Sequence, residues 1–71
     1  MLVRYIYKGH IIGSGHLQNI PIEGNFVEFQ EIGRIFKVTD VMFKTLLTND
    51  VAVLIYLCDI TPETERRLRN Y

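Results

Sequence analysis

Apolar and polar residues alternate with a period of two along several short segments of this chain, a pattern typical of a β-strand with one buried face. Residues 9–18 hold three of the five glycines and separate the first segment from the others. We interpret this stretch as a long irregular connection or as a hairpin of its own, with its turn at residues 13–15. The strand-like segments are residues 2–8, 26–30, 35–43 and 51–60.

Segment 51–60 has apolar side chains at both odd and even positions, which predicts a central strand covered on both faces. In segment 35–43 the alternation shifts after Val38, because Val41 rather than Asp40 is apolar. A β-bulge near Thr39 and Asp40 would return Val41 to the core and bend the strand as a closing barrel requires. The other residues predicted to point inward are Val27, Phe29, Phe36 and Val38, and Val3, Tyr5 and Tyr7 are predicted to share one face of segment 2–8.

The C-terminal segment carries the signals of a helix start, with Thr61 as the cap and Pro62 at the first helical position. Arg66, Arg67 and Arg69 fall near its end, where they complement the helix dipole. We expect a helix at about residues 62–70, too short to stand alone in water, that docks on the sheet. The predicted fold is a single mainly β domain over residues 1–71, a partly open barrel of four to five antiparallel strands with this short helix.

The residues that carry a family resemblance form two stretches, Pro21-x-x-Gly24-Asn25-x-Val27 and Gly33-x-x-Phe36-x-Val38-x-x-Val41. Together they resemble small SH3-like barrel proteins that are common among uncharacterised bacterial and phage open reading frames. In those proteins the first stretch usually reads Pro-x-x-Gly-Asp-x-Val, and Asn25 stands here in place of the aspartate. The resemblance covers residues 21–57. It implies a small β-barrel binding domain and no catalytic residues.

Composition favours association. Apolar residues make up 48% of only 71 residues, more apolar surface than so short a chain can hide in its own centre. Eight basic and eight acidic side chains give a formal net charge of zero, which promotes association and lacks the positive field of a typical nucleic-acid binder. We therefore expect a homo-oligomer or a complex with a host protein.

The location is expected to be cytoplasmic, with no membrane partner. Arg4 and Lys8 interrupt the apolar residues at the N-terminus, unlike a signal peptide. The longest apolar run, residues 51–58, is too short to cross a bilayer as a helix. Cys58 is the only cysteine, so no intrachain disulfide is possible.

No residue set in the sequence indicates catalysis or a cofactor. His10, His16 and Cys58 do not have the spacing of a zinc site. Cys58 lies in the most apolar segment, where burial is expected to make the thiol inert. Residues 13–15 lack the Gly-Lys-Ser/Thr end of a phosphate loop, although their amides could form an anion nest instead of a flexible turn. We expect no enzyme, no metal and no cofactor.

An apolar interface is the better candidate. Phe26 and Ile35 are predicted to point outward, and Leu54 and Tyr56 lie on the second face of the central strand. Either the C-terminal helix and a loop cover these side chains, or another chain does. Arg66, Arg67 and Arg69 would form a charged rim, or an anion-binding site.

Three functions remain open at this point. The first is a phage or mobile-element accessory protein that self-associates and binds a host macromolecule stoichiometrically, for instance to inhibit a host enzyme or defence protein. The second is a barrel that binds single-stranded nucleic acid through the C-terminal arginines and Tyr5, Tyr7 and Tyr71. The third is sequestration of a small anionic nucleotide between subunits.

Overall fold

The computed structural model of the chain describes residues 1–45, 47 and 51–62. Its strands are β1 (Leu2–Tyr7), β2 (His10–His16), β3 (Phe26–Phe29), β4 (Arg34–Thr45) and β5 (Val51–Asp59), with a 3-10 turn at Gln30–Ile32 between β3 and β4. The strands form one sheet in the order β2-β1-β5-β4-β3, which curls into a half-barrel. The fold is mainly β, as predicted. The helix predicted at residues 62–70 lies outside the described residues, apart from Pro62.

The sheet joins two antiparallel units through one parallel pair. Strands β1 and β2 form a hairpin, β3, β4 and β5 form a meander, and β1 pairs with β5 in parallel, from Leu2 opposite Ala52 to Tyr7 opposite Leu57. The prediction of antiparallel strands is therefore wrong for this pair. Turn signals report only on strands that follow each other in sequence, whereas β1 and β5 lie at opposite ends of the chain.

The central position predicted for β5 is confirmed, since it lies between β1 and β4. Its inner face holds Val53 and Ile55, both fully buried, and Leu57, which is 7% exposed. On its outer face Leu54 and Tyr56 are only half-buried and Cys58 is exposed. The strand is therefore fully covered on its inner face and only partly covered on its outer face, where the sequence predicts burial on both. The inner layer is completed by Val3, Phe36 and Val38, with Tyr5, Tyr7, Ile12, Leu17, Ile20, Val27, Phe29 and Val41 packed against it.

The predicted β-bulge is confirmed in β4. Val38 lies opposite Leu57, whereas Asp40 lies opposite Tyr56, so that Thr39 is the extra residue. The Thr39 hydroxyl donates a hydrogen bond to the Tyr56 carbonyl (3.2 Å). The extra residue returns Val41 to the inner face, where it packs against the core.

Residues 13–15 do not form the turn expected of them. The β1–β2 hairpin turns at Lys8 and Gly9, whose φ angles of 49° and 80° are both in the left-handed region. Two successive residues with positive φ are the requirement of the type I′ turn, whose twist matches that of the flanking strands. Gly13 and Gly15 lie instead inside β2.

The curl of the sheet depends on Phe29, whose ring packs across the inner face. The ring lies edge-on to Tyr5 and Phe36, with centroid separations of 5.3 and 5.4 Å. A Cβ atom on Gly13 would lie 3.1 Å from Cε1 of Phe29. The missing side chain at Gly13 therefore lets a ring from edge strand β3 rest on edge strand β2.

A polar cluster at the end of β5 fastens it to the start of β4. The buried Thr61 hydroxyl accepts a hydrogen bond from the Ile35 amide (2.8 Å), and the Thr61 amide donates to the Asp59 carboxylate (2.9 Å). Arg34 lies 3.6 Å from the same carboxylate. Thr61, which the sequence predicts only as a helix cap, thus also links the end of β5 to the start of β4.

We expect Gly13→Ala to lower the free energy of unfolding by about 1 kcal/mol, because the new methyl group displaces a packed ring. Gly15→Ala is the matched control, since a Cβ atom there meets nothing within 4 Å. It should be neutral or stabilising by about 0.5 kcal/mol. Urea unfolding of both variants makes the measurement, and equal effects would show that Phe29 does not rest on Gly13.

We also expect the stability of the protein to depend on Asp59 in acid. The hydrogen bond from Thr61 holds the pKa of Asp59 below its usual value, with Arg34 and Lys8 adding to the effect against partial desolvation. The folded state thus favours the carboxylate. The stabilisation is complete above the unfolded pKa of about 3.9 and is lost as the pH falls through the lower folded pKa. Urea midpoints should therefore fall more steeply in acid for the wild type than for Asp59→Asn, and parallel curves would contradict the assignment.

Candidate functional site

The edge strands β2 and β3 lie antiparallel to each other across an open seam. Next to the paired residues of β1 and β2, the Leu17 amide donates a hydrogen bond to the Met1 carbonyl (3.0 Å). Next to the paired residues of β3 and β4, the Val38 amide donates a hydrogen bond to the Asn25 carbonyl (2.8 Å). Main-chain groups point alternately to the two edges of a strand. Counting from these bonds, the amide and carbonyl groups of Ser14 in β2 and Glu28 in β3 point into the seam.

A groove of about 510 Å³ occupies this seam. Tyr5, Ile12 and Phe29 supply apolar surface, and the exposed acidic residues Glu28 and Glu31 also line the groove, Glu28 from its outer rim because it shares the outer face with Ile35. The remaining lining residues are Gly13, Ser14, Gln30 and Ile32, so that no lysine or arginine lines the groove in the described part of the chain. Burial raises the pKa of Tyr5 above its ordinary value of about 10, so its hydroxyl, which any tyrosine keeps protonated at neutral pH, is available to donate a hydrogen bond. The site is suited to an elongated ligand with apolar and positively charged groups.

The predicted interface residues lie elsewhere, on the outer face of the sheet. Phe26, opposite Lys37, is 66% exposed, and Ile35 is half-buried opposite Glu28. The two central members lie side by side, each flanked by residues of β1 and β4: Leu54 by Arg4 and Met42, and Tyr56 by Ile6 and Asp40. Polar side chains therefore interrupt the surface that joins the four residues. Arg66, Arg67 and Arg69 lie outside the described residues.

A second exposed apolar region was missed. Met42 and Phe43 in β4 are 53% and 59% exposed, and they project to opposite faces because neighbouring strand residues alternate. The sequence predicts Phe43 at the end of a strand and gives it no contact. The available signal was strand length, since segment 35–43 is longer than segment 26–30 and must extend beyond it.

The histidines and the cysteine are not brought together. His10 and His16 are the exposed first and last residues of β2, which places them about 20 Å apart at roughly 3.3 Å per residue. They lie in a strand, so the irregular connection, one of the two interpretations of residues 9–18, is not what the structure has at His10–His16. Cys58 is exposed, which corrects its expected burial, because it projects from the outer face of β5 opposite Lys37. The described residues contain no group of three or more potential metal ligands.

Among the described residues, those assigned to nucleic-acid or nucleotide binding are Tyr5, Tyr7 and residues 13–15, and none of them forms an exposed binding surface of the expected kind. Tyr5 and Tyr7 pack on the inner face, edge-on to Phe29 and Phe36 respectively, so neither ring is a free surface on which bases can stack. Residues 13–15 are extended in β2, and residues 13 and 14 line a groove that carries two carboxylates. Tyr5, Tyr7 and residues 13–15 thus lack the geometry that these hypotheses required of them, and Tyr71 lies outside the described residues.

No family model, curated protein or solved structure matches this chain. In the part of the chain that the structure describes, no helix has the length and apolar character needed to cross a membrane.

Proposed function

We propose that this chain is a non-enzymatic binding protein that self-associates and acts by binding another protein stoichiometrically. The observation that carries the proposal is the open seam between β2 and β3. It combines an apolar groove with main-chain groups of Ser14 and Glu28 that no neighbouring strand pairs in the described part of the chain. Sheet edges of this kind bind extended segments of other proteins by adding a strand, with main-chain hydrogen bonds supplying affinity and side-chain pockets supplying specificity.

The chemistry of the groove defines the partner segment. Glu28 and Glu31 favour lysine or arginine, whereas Phe29 and Ile12 favour an apolar side chain that enters the seam. The partner is therefore an extended protein segment in which a basic residue lies close to an apolar one. Phosphate groups would meet two carboxylates at this site, and this disfavours a nucleotide or a nucleic-acid strand as the ligand.

The biological role belongs to the same proposal. A mainly β half-barrel of this size is in keeping with the SH3-like resemblance of residues 21–57. That resemblance favours an accessory protein of a phage or mobile element, which occupies a site on a host enzyme or defence protein in the cytoplasm and thereby inhibits it.

The test is capture of partners from a bacterial lysate by the tagged protein, with nuclease present. We expect one host protein to be retained in near-equal amount by the wild type. Glu28→Lys combined with Glu31→Lys should reduce its retention at least tenfold, because two attractive charges become repulsive, each change costing on the order of 1 kcal/mol. Quantitative mass spectrometry of the eluates gives the ratio.

Glu23→Lys is the matched control, because Glu23 is exposed but does not line the groove. It should retain the partner as the wild type does. Equal retention by the double variant would remove the groove from the proposal, and a captured partner that disappears with nuclease would replace protein binding by nucleic-acid binding.

A further inference from the structure

Strand β4 extends well beyond its neighbour at one edge of the sheet. Strand β3 has four residues and pairs with residues 34–37 of β4, which has 12 residues. The contact continues to Val38, whose amide and carbonyl bond to Asn25 and Gly24. From Asp40 to Thr45, no strand in the described part of the chain pairs with this edge of β4.

The main-chain groups that point out from this edge can be identified. The Tyr56 carbonyl points toward β4, since it accepts the hydrogen bond from Thr39. Asp40, which lies opposite Tyr56, therefore directs its own amide and carbonyl toward β5. Alternation then turns the amide and carbonyl groups of Val41, Phe43 and Thr45 outward, where another strand can pair with them.

The side chains along this edge are complementary to those of a second copy of the same segment that runs in the opposite direction. If two copies pair antiparallel about an axis at Met42, Asp40 of each copy lies opposite Lys44 of the other. Asp40, Met42 and Lys44 share the outer face, opposite Tyr56, Leu54 and Ala52 of β5. Val41 lies opposite Phe43 of the second copy on the inner face. In this register both residues of the Val41–Phe43 pair direct their main-chain groups to the edge, so they exchange both hydrogen bonds.

We propose that a second copy of this chain occupies the β4 edge, in an antiparallel pair centred on Met42. The pairing covers the 53% exposed Met42 and the 59% exposed Phe43 and forms two Asp40–Lys44 pairs across the two-fold axis. The two half-barrels then share one continuous sheet, and the pairing uses no residue that lines the seam groove. This inference specifies the self-association in the proposed function and is independent of the partner groove.

The test is a charge-reversal series on this edge. The wild type should sediment at twice the 8.3 kDa of one chain at micromolar concentration. Asp40→Lys places lysine opposite lysine at both sites, and Lys44→Asp places aspartate opposite aspartate. Each single variant should weaken dimerisation by roughly tenfold, whereas the double exchange should restore it. Lys37→Asp is the control, since residue 37 precedes the bulge and pairs with Phe26 of β3.

Mixing the two single variants gives the decisive result. One chain then carries lysine at positions 40 and 44 and the other carries aspartate at both, so a heterodimer restores both pairs. We expect a heterodimer by sedimentation or native mass spectrometry from two variants that are each weakened alone. Circular dichroism of each variant confirms that it is folded.

Three results would overturn this proposal: a monomeric wild type, single variants that dimerise as the wild type does, or a mixture that gains nothing. A dimer that is lost with Tyr56→Arg and kept in the β4 variants would move self-association to the outer face. Partner capture by a monomeric protein would leave the groove proposal intact.

Discussion

The packing of Phe29 against the opposite side of the sheet is the interaction on which the rest of this structure depends. A five-stranded sheet with one apolar face must cover that face, and a chain of 71 residues has little else to cover it with. The ring of Phe29 meets Tyr5 and Phe36 edge-on and lies so close to Gly13 that a Cβ atom there would be 3.1 Å from Cε1 of the ring. The sheet therefore curls over its own inner layer, in which Val3, Val38, Val53 and Ile55 are fully buried.

A sheet that curls into a half-barrel has edge strands, and not all of their main-chain hydrogen-bonding groups are paired by the described strands. Strand β3 has only four residues, so it brings Phe29 to the seam but pairs with only the first part of β4. In the part of the chain that the structure describes, main-chain groups at the seam and along the second half of β4 have no strand partner. Proteins normally protect such edges against uncontrolled pairing. Here one edge carries carboxylates beside a groove, and the other carries opposite charges spaced to complement a second copy. Both proposed interactions use main-chain groups of edge strands that the described strands of this sheet do not pair.

The sequence was sufficient to predict features that leave a local pattern. The double-sided apolar run identified β5 as central, and the shift in alternation after Val38 located the bulge. Other features have no local signature. The parallel pairing of β1 and β5 joins distant segments, and the groove exists only because β2 and β3 meet across the half-barrel. The glycines predict a turn at residues 13–15, but the turn lies at Lys8 and Gly9, which both have a positive φ, and Gly13 lies instead in close packing with Phe29.

Amide hydrogen exchange followed by NMR tests the open half-barrel most directly. The account predicts that the amides of Val53 and Ile55, in the centre of the sheet, exchange slowest, at the rate of global unfolding. The amides of Ser14 and Glu28, which point into the seam, should exchange faster than those of Gly13 and Val27, which point toward β1 and β4. Equal protection at Ser14, Glu28 and the central strand would show that β2 and β3 are paired in a closed barrel, and would contradict the open seam.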